Sequence, residues 1–501
     1  MDLDPDACYR AIQTRDVRFD GRLFIGVRTT GVYCRPICPA RTPKRENVSF
    51  YASAASAQEA GFRPCLRCRP ETSPDLGAWR GASNTVSRAL RLIEAGALDE
   101  ADVDALASRL GVGERQLRRL FRQHLGASPV AVAQTRRVLL AKQLIHETRL
   151  PMAQIALAAG FGSVRRFNET FLQLYDRPPR ALRRARGPDE PAAGLVTLKL
   201  AYRPPYDWPA MLAFLSLRAI PGVEVVRNGA YARTIAIGDE RGALSVTPAP
   251  DARLSVAIAF PKLAALPAII ARVRCLFDLA ADPTTIGEHL AEDPALAPLV
   301  AARPGLRAPG AWDGFELAVR AVLGQQITVA AAIRLAGRLA RDHGATLNAA
   351  LPTFPELTHV FPSAGQLAGV DLSDLPMPRA RSKALEALAN AAAQDPGLFS
   401  PRRELTDAIA QLRALPGVGE WTAQYIAMRQ LREPDAFPAA DIGLMRAMAG
   451  GDGVRPSAQA LLARAERWRP WRAYAAQHLW AADAAAAKPA KEPLDADRQA
   501  A

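Results

Sequence analysis

Acidic residues are in short supply. Asp and Glu number 50 against 64 Lys and Arg, a formal net charge of +14. The deficit favours polyanionic partners, nucleic acid above all, with a merely solvated basic surface as the other reading. Nowhere does an apolar run reach the roughly 18 residues that a membrane-spanning helix requires, which excludes such a span. No apolar run follows the first residues either, so no secretory signal is expected and the chain is read as cytosolic. Cysteine is scarce, six residues in 501. In a reducing compartment disulfides are rare, and cysteines that cluster more often hold metal. What is present, 49% hydrophobic and 23% charged residues, is the composition of a folded protein with room for several domains.

The chain changes character along its length. Residues 1–75 are irregular, rich in Arg, Pro and Gly, and hold four of the six cysteines. From Asn84 to about Arg186 apolar residues recur at helical spacing, as in Val103, Leu106, Ala107 and Leu110. "RGPDEPAAG" (186–194) reads as a polar linker. Short alternating runs follow to about 283: "AYARTIAIG", a polar "DERG" turn, "ALSVTPAP" and "LSVAIAF", which predict antiparallel strands. Beyond 284 the pattern is helical again, and the low-complexity tail 486–501 is expected to be disordered.

Cys34 and Cys38 are spaced C-x3-C, and Cys65 and Cys68 C-x2-C. Two such pairs suit one tetrahedral zinc ion with thiolates at about 2.3 Å. A zinc ion that only staples a small domain and a metal-held reactive thiol both remain open. Cys8 and Cys275 stand apart as buried or incidental thiols. The surrounding "RTTGVYCRPICPAR" and "ENVSFYASAASAQEAGFRPCLRCRP" resemble the N-terminal domain of Ada-type bacterial alkylation-response proteins. The resemblance implies zinc on all four thiolates, with Cys34 taking a methyl group from a DNA methyl phosphotriester and Cys38 as the fallback acceptor. The chemistry is sound, because the thiolate is the nucleophile and zinc keeps it deprotonated. Four thiolates around zinc are also net negative, so methylating one weakens the repulsion of phosphates. Arg35, Arg41, Lys44, Arg45, Arg63, Arg67 and Arg69 are placed to meet the backbone.

"VDALASRLGVGERQLRRLFRQHLG" gives a helix, a Gly-containing turn and a second amphipathic helix, and "MAQIALAAGFGSVRRFNETFLQLYDRPP" repeats the plan. Two helix-turn-helix units about 50 residues apart resemble the DNA-binding domain of AraC-type regulators. That resemblance makes Arg115, Gln116, Arg118 and Arg119 groove-facing candidates in the first unit. Ser163, Arg165, Arg166 and Asn168 are the candidates in the second.

In "LRALPGVGEWTAQYIAMRQL" (412–431) the glycines Gly417 and Gly419 sit in a hairpin between helices, where backbone N–H groups can hold a DNA phosphate. Asp441 follows about twenty residues later in "DAFPAADIGLMRAM". With "LAYRPPYDWPAMLAFL", "ARPGLRAPGAWDGFELAVRAVLGQQITVAAA" and "ERWRPWRAYAAQHLW", these stretches resemble AlkA-type alkylbase glycosylases of the helix-hairpin-helix superfamily. The resemblance implies Asp441 as the carboxylate that stabilises a cationic sugar. It also implies a pocket of Trp421, Tyr425, Trp480 and Phe214 for an electron-poor flipped base. A plain helix-capping role for Asp441 and a core role for the aromatic pair are the bland alternatives. Trp421 stands where bifunctional relatives carry a Schiff-base lysine, and no iron–sulfur cysteine set follows, so a monofunctional enzyme without lyase activity is expected. Gln326 replaces the wedging leucine of well-known relatives as the gap-filling residue. No Pro-Cys-His-Arg motif occurs, so no second methyl-acceptor cysteine is expected.

The expected fold is multidomain and mainly α with α+β parts. It comprises a small zinc-binding domain (1–78), an all-α double helix-turn-helix domain (84–186), an antiparallel-sheet α+β subdomain (195–283) and an all-α helix-hairpin-helix glycosylase domain (284–485). The expected function is a DNA-3-methyladenine glycosylase II activity fused to a methyl-phosphotriester sensor and a transcription activator. Two alternatives stay open: a purely structural zinc module, and a transcription factor with a non-catalytic DNA clamp. Expected partners are double-stranded DNA (alkylated bases, methyl phosphotriesters, promoter sites) and RNA polymerase. The chain is expected to be a monomer in the bacterial cytoplasm, at the nucleoid.

Overall fold

A helix, Pro5–Gln13, and a four-stranded sheet open the computed structural model, which describes residues 4–74, 85–183, 195–347, 351–401, 404–449 and 453–486. The expected linker at 186–194 and the tail beyond Ala486 lie outside these residues. The first sheet runs β3 (Val48–Tyr51), β1 (Phe24–Val27), β2 (Val32–Cys34) and β4 (Arg63–Pro64). β1 pairs antiparallel with β2 and β3, and β2 runs parallel to β4. That last pairing brings the two cysteine pairs together, since Cys34 ends β2 and Cys65 follows β4. Gly26 is required in β1, because a Cβ there would lie 2.7 Å from the Phe62 ring and 2.8 Å from that of Tyr51.

Next come two helix-turn-helix units, Val103–Arg109 with Glu114–Leu125, and Met152–Ala158 with Val164–Tyr175. Asp102 and Ser163 cap one helix of each unit through side-chain oxygens. The long helix Pro129–Glu147 joins them. The first unit packs its own core around Leu106, Leu117 and Phe121. In the second, Phe167, Phe171 and Tyr175 belong to the same apolar core as the sheet that follows.

That sheet is antiparallel, ordered β5 (Leu195–Ala201), β9 (Arg253–Ala259), β8 (Glu240–Ala249), β7 (Ala230–Ile237), β6 (Glu224–Arg227). The predicted "DERG" turn is shorter than the sequence suggested. Only Gly238 (φ +60°) and Asp239 turn, and Glu240 already pairs with Ile237. The segment also contains two helices, Trp208–Arg218 and Leu266–Leu276, which the alternating pattern did not reveal. The remaining helices close around one large core that includes Leu323, Leu388, Ile426 and Trp468. Among the described residues, no helix is long and apolar enough to cross a membrane.

A buried charged hub joins these parts. On the long helix, Lys142 Nζ donates to the Cys65 carbonyl at 2.9 Å and to Glu71 Oε2 at 2.8 Å. Arg69 bridges Glu71 and Glu147, and the Glu147 carboxylate accepts from the Lys199 N–H of β5 at 2.9 Å. The Lys142 and Glu71 side chains are fully buried; removing Glu71 would leave the Lys142 charge without an ionic partner, whereas Glu71 also has Arg69.

Candidate active site and metal centre

The helix Glu420–Arg429 begins at Gly419, directly after the hairpin, and carries Trp421 and Tyr425 one turn apart. Their rings stack, with centroids 5.1 Å apart and planes within 8°. Trp480, on the helix Arg472–Ala486, meets Tyr425 edge-on at 6.4 Å. Asp441 lies between the two indoles. Its Oδ2 accepts from Trp421 Nε1 at 2.8 Å, and its Oδ1 accepts from Trp480 Nε1 at 2.9 Å and the Leu444 N–H at 3.0 Å. Asp441 therefore also caps the helix Ile442–Ala447. The capping and pocket readings are compatible, because one carboxylate has lone pairs for all three donors. Phe214 comes from the sheet subdomain, and Arg429 brings it into this group: the guanidinium carbon lies 4.7 Å from the Phe214 ring centre and 5.4 Å from those of Tyr425 and Trp480.

Gly417 adopts φ +78°, and a Cβ there would lie 2.4 Å from Ala384 Cβ, so both conformation and packing require glycine. Gly419 is different: its φ is −83° and a Cβ would meet no heavy atom within 4 Å. The space in front of that helix start is open. Gln326 is exposed with φ +58°, presented at the tip of its turn. Its neighbour Gln325 donates to the Gly417 carbonyl at 2.8 Å and to Thr422 Oγ1 at 3.2 Å. The turn that carries Gln326 and the hairpin are thereby held as one unit.

The sulfurs of Cys34, Cys38, Cys65 and Cys68 lie within 4.8 Å of one another. The donor set fits zinc, and backbone N–H groups of Arg35 and Arg67 donate to the Cys68 and Cys65 sulfurs at 3.4 Å, as suits thiolates. Hydrogen bonding with Cys34 lowers the Cys38 thiol to about 7, while hydrogen bonding with Cys38 and Cys65 raises Cys34. Cys34 is buried, at 9% exposure, and Cys38 is the more open of the first pair. Two arginines expected at phosphates are otherwise engaged. Arg35 is buried and bonds Asp20, Thr72 Oγ1 and the Cys68 carbonyl, bracing the metal loop from beneath. Arg69 is spent on Glu71 and Glu147. Arg41, Lys44, Arg45 and Arg67 are exposed, and Arg63 is half-buried.

All eight helix-turn-helix candidates are exposed. Arg118 pairs with Glu114 and Arg165 with Glu169 at i, i+4, surface pairs weak enough to yield to phosphates. Ser163 Oγ accepts from the Arg166 N–H at 3.1 Å as the helix cap. Sequence reasoning missed Arg429, Gly443, Asp483 and Lys142. A basic residue one turn beyond Tyr425 was the only available signal for the first, and nothing marked the rest.

A helix-hairpin-helix DNA glycosylase fold carrying a thiolate metal module and a double helix-turn-helix defines the class. Three family models match: the metal binding domain of Ada over residues 7–71, a helix-turn-helix domain over 106–185, and the AlkA N-terminal domain over 197–313. The chain is 45% identical over 484 residues to a probable bifunctional transcriptional activator/DNA repair enzyme AlkA of Mycobacterium tuberculosis, covering 96% of this chain and 97% of that protein. It is 38% identical over 289 residues to DNA-3-methyladenine glycosylase 2 of Escherichia coli, covering 56% of this chain and 95% of the other. A 3-methyladenine DNA-glycosylase from Archaeoglobus fulgidus shares the fold at TM-score 0.51 and 20% identity, covering 58% of this chain and 99% of that one. The chain belongs to the family of bifunctional transcriptional activator/DNA repair enzymes AlkA.

Proposed function

We propose that this chain repairs alkylated DNA and regulates the response to it, with Asp441 as the catalytic carboxylate of a monofunctional 3-methyladenine-type glycosylase. The observation that carries the reading is the hold on Asp441: two indole N–H donors from the aromatic group fix a carboxylate among the rings that would grip a flipped base. An alkylated purine carries positive charge and leaves readily. The C1′–N bond breaks with its electrons on the base, and the Asp441 charge stabilises the cationic sugar until water adds its oxygen at C1′ and releases one proton to solvent. Trp421, Tyr425, Trp480 and Phe214 grip the base, Gln326 fills its place in the duplex, and Gly417 and Gly419 shape the phosphate-binding hairpin. Asp441→Asn is expected to lower base release from methylated DNA by about 10²–10³ while DNA binding is kept. Full activity in that variant would remove Asp441 from the chemistry.

The same reading assigns the metal module as a sensor. A zinc ion on Cys34, Cys38, Cys65 and Cys68 would keep the thiolates deprotonated at neutral pH. Cys34 Sγ then attacks the methyl carbon of a phosphotriester; the new S–C bond forms as the C–O bond breaks, and the phosphate leaves as a diester anion. The burial of Cys34 favours a second reading in which the module is structural only. Intact mass and peptide mapping after exposure to methyl-phosphotriester DNA decide between them. One methyl on Cys34, absent in Cys34→Ala, supports the sensor; a methyl on Cys38 moves the role there; none, with zinc retained, leaves a structural knot.

The chain's domains are 1–78, 84–186, 195–283 and 284–485. Arg115, Gln116, Arg118, Arg119, Ser163, Arg165, Arg166 and Asn168 face promoter DNA. The chain acts as a monomer at the nucleoid and contacts RNA polymerase.

A further inference from the structure

Asp483 has no part in the chemistry described above, yet it stands beside the carboxylate that carries it. Gly443 measures the gap. The position that a Cβ on Gly443 would take lies 3.1 Å from Asp441 Oδ1, 3.2 Å from Asp483 Oδ2 and 3.3 Å from Trp480 Cδ1. Glycine puts no side chain there, so the two carboxylates and a pocket ring border the same small space. Asp483 follows Trp480 by three residues on the helix Arg472–Ala486, and the two project from one face of it. Arg446, on the helix that Asp441 caps, holds Asp483 through hydrogen bonds of 2.8 and 2.6 Å, one to each oxygen.

The two carboxylates are held for different work. Asp441 takes three donors on its four lone-pair sites, two indole N–H groups and the Leu444 N–H, which leaves one site open on Oδ2. That site is what its charge can offer the sugar cation. Asp483 takes one donor on each oxygen and keeps an open lone pair on both. Its side chain is 19% exposed, open enough to pass a proton on to solvent. When water adds its oxygen to C1′ an O–H bond must break, and a fixed acceptor beside the nucleophile speeds that step. We propose that Asp483 is a second catalytic carboxylate, which takes the proton of the attacking water and hands it to solvent, with Arg446 as the residue that positions it. The C–O bond forms at C1′, the electron pair of the broken O–H bond stays on oxygen, and Asp483 is a carboxylate again once the proton leaves. A cationic sugar beside its departed base can also recombine with it, so capture by water sets how fast base is lost for good. The inference rests on the glycosylase reading given above.

The test follows single-turnover release of 3-methyladenine from methylated duplex DNA by the full chain, Asp483→Asn, Asp483→Ala and Arg446→Met, with DNA affinity and thermal unfolding measured alongside. Release by the wild type is expected to slow about twofold in heavy water, because a proton moves in the step. Asp483→Asn should release base about 10²-fold more slowly with DNA affinity kept, and added formate should restore much of the rate to Asp483→Ala. Arg446→Met keeps the carboxylate and should lose less than about tenfold. A rate for Asp483→Asn within about threefold of the wild type would overturn the inference. So would equal losses in Asp483→Asn and Arg446→Met with no rescue by formate, which would make the pair a structural clamp. Should the Asp483 variants fail to fold, the wild type in heavy water decides, and an unchanged rate overturns the inference. A wild type that releases no base at all takes down the glycosylase reading, and this inference with it.

Discussion

Gly443, two residues beyond Asp441, shows how narrowly the site is set. A Cβ there would lie 3.1 Å from Asp441 Oδ1, 3.2 Å from Asp483 Oδ2 and 3.3 Å from Trp480 Cδ1. Asp483 is meanwhile clamped by Arg446 through two hydrogen bonds of 2.8 and 2.6 Å, so it cannot easily move aside. Gly443→Ala should therefore shift Asp441 and Trp480 by a few tenths of an ångström. Rate is expected to fall about tenfold, since misplacement by an ångström can cost a hundredfold. Stability should not fall with it, because alanine is the better helix former by about 1 kcal/mol. Parallel kinetics and thermal unfolding check the point; activity and stability lost together would mean general disruption instead.

At the scale of elements, the hairpin separates conformation from contact. Gly417→Ala forces a positive φ on alanine and a clash with Ala384, so a loss of about 1–3 kcal/mol is expected in denaturant unfolding. Gly419→Ala meets neither obstacle and should stay within about 0.5 kcal/mol of the wild type. If the helix start receives a phosphate, the added methyl stands in its way, and DNA affinity should drop at least severalfold in Gly419→Ala without a loss of stability. Unchanged affinity would make Gly419 an ordinary turn residue. The recognition helices were legible from apolar spacing, with Leu117, Phe121, Phe167 and Phe171 all buried. The helix Trp208–Arg218 was not, because nothing in an alternating segment says where strands give way. Its face is set by the sheet it packs on, which buries Met211 and Leu215.

For the whole molecule, the hub around Lys142 makes the metal module part of the scaffold. The Cys65 carbonyl, Lys142, Glu71, Arg69, Glu147 and the Lys199 N–H form one connected path from a metal ligand to the first strand of the second sheet. Arg35 braces the other side, and Arg22 pairs with Asp282 across to the glycosylase half. Zinc removal by a chelator should thus raise hydrogen exchange in Pro129–Glu147 and Leu195–Ala201 as well as around the cysteines. The hairpin helix Glu420–Arg429 should keep its protection. Exchange confined to the cysteine loops would show that the hub holds without the metal.

The sequence by itself determined the kinds of chemistry present. Thiols at metal spacing, a P-G-x-G hairpin, an aspartate twenty residues on and aromatics one turn apart are local patterns, legible because spacing along a helix or turn fixes direction. Only the tertiary structure decided which charges are free to act. Arg35 and Arg429 read like any other arginine, yet one lies beneath the metal loop and the other among the pocket rings. Burial and partners come from residues distant in sequence, Asp20 for the first and Pro309 and Gln477 for the second, and no local pattern encodes them.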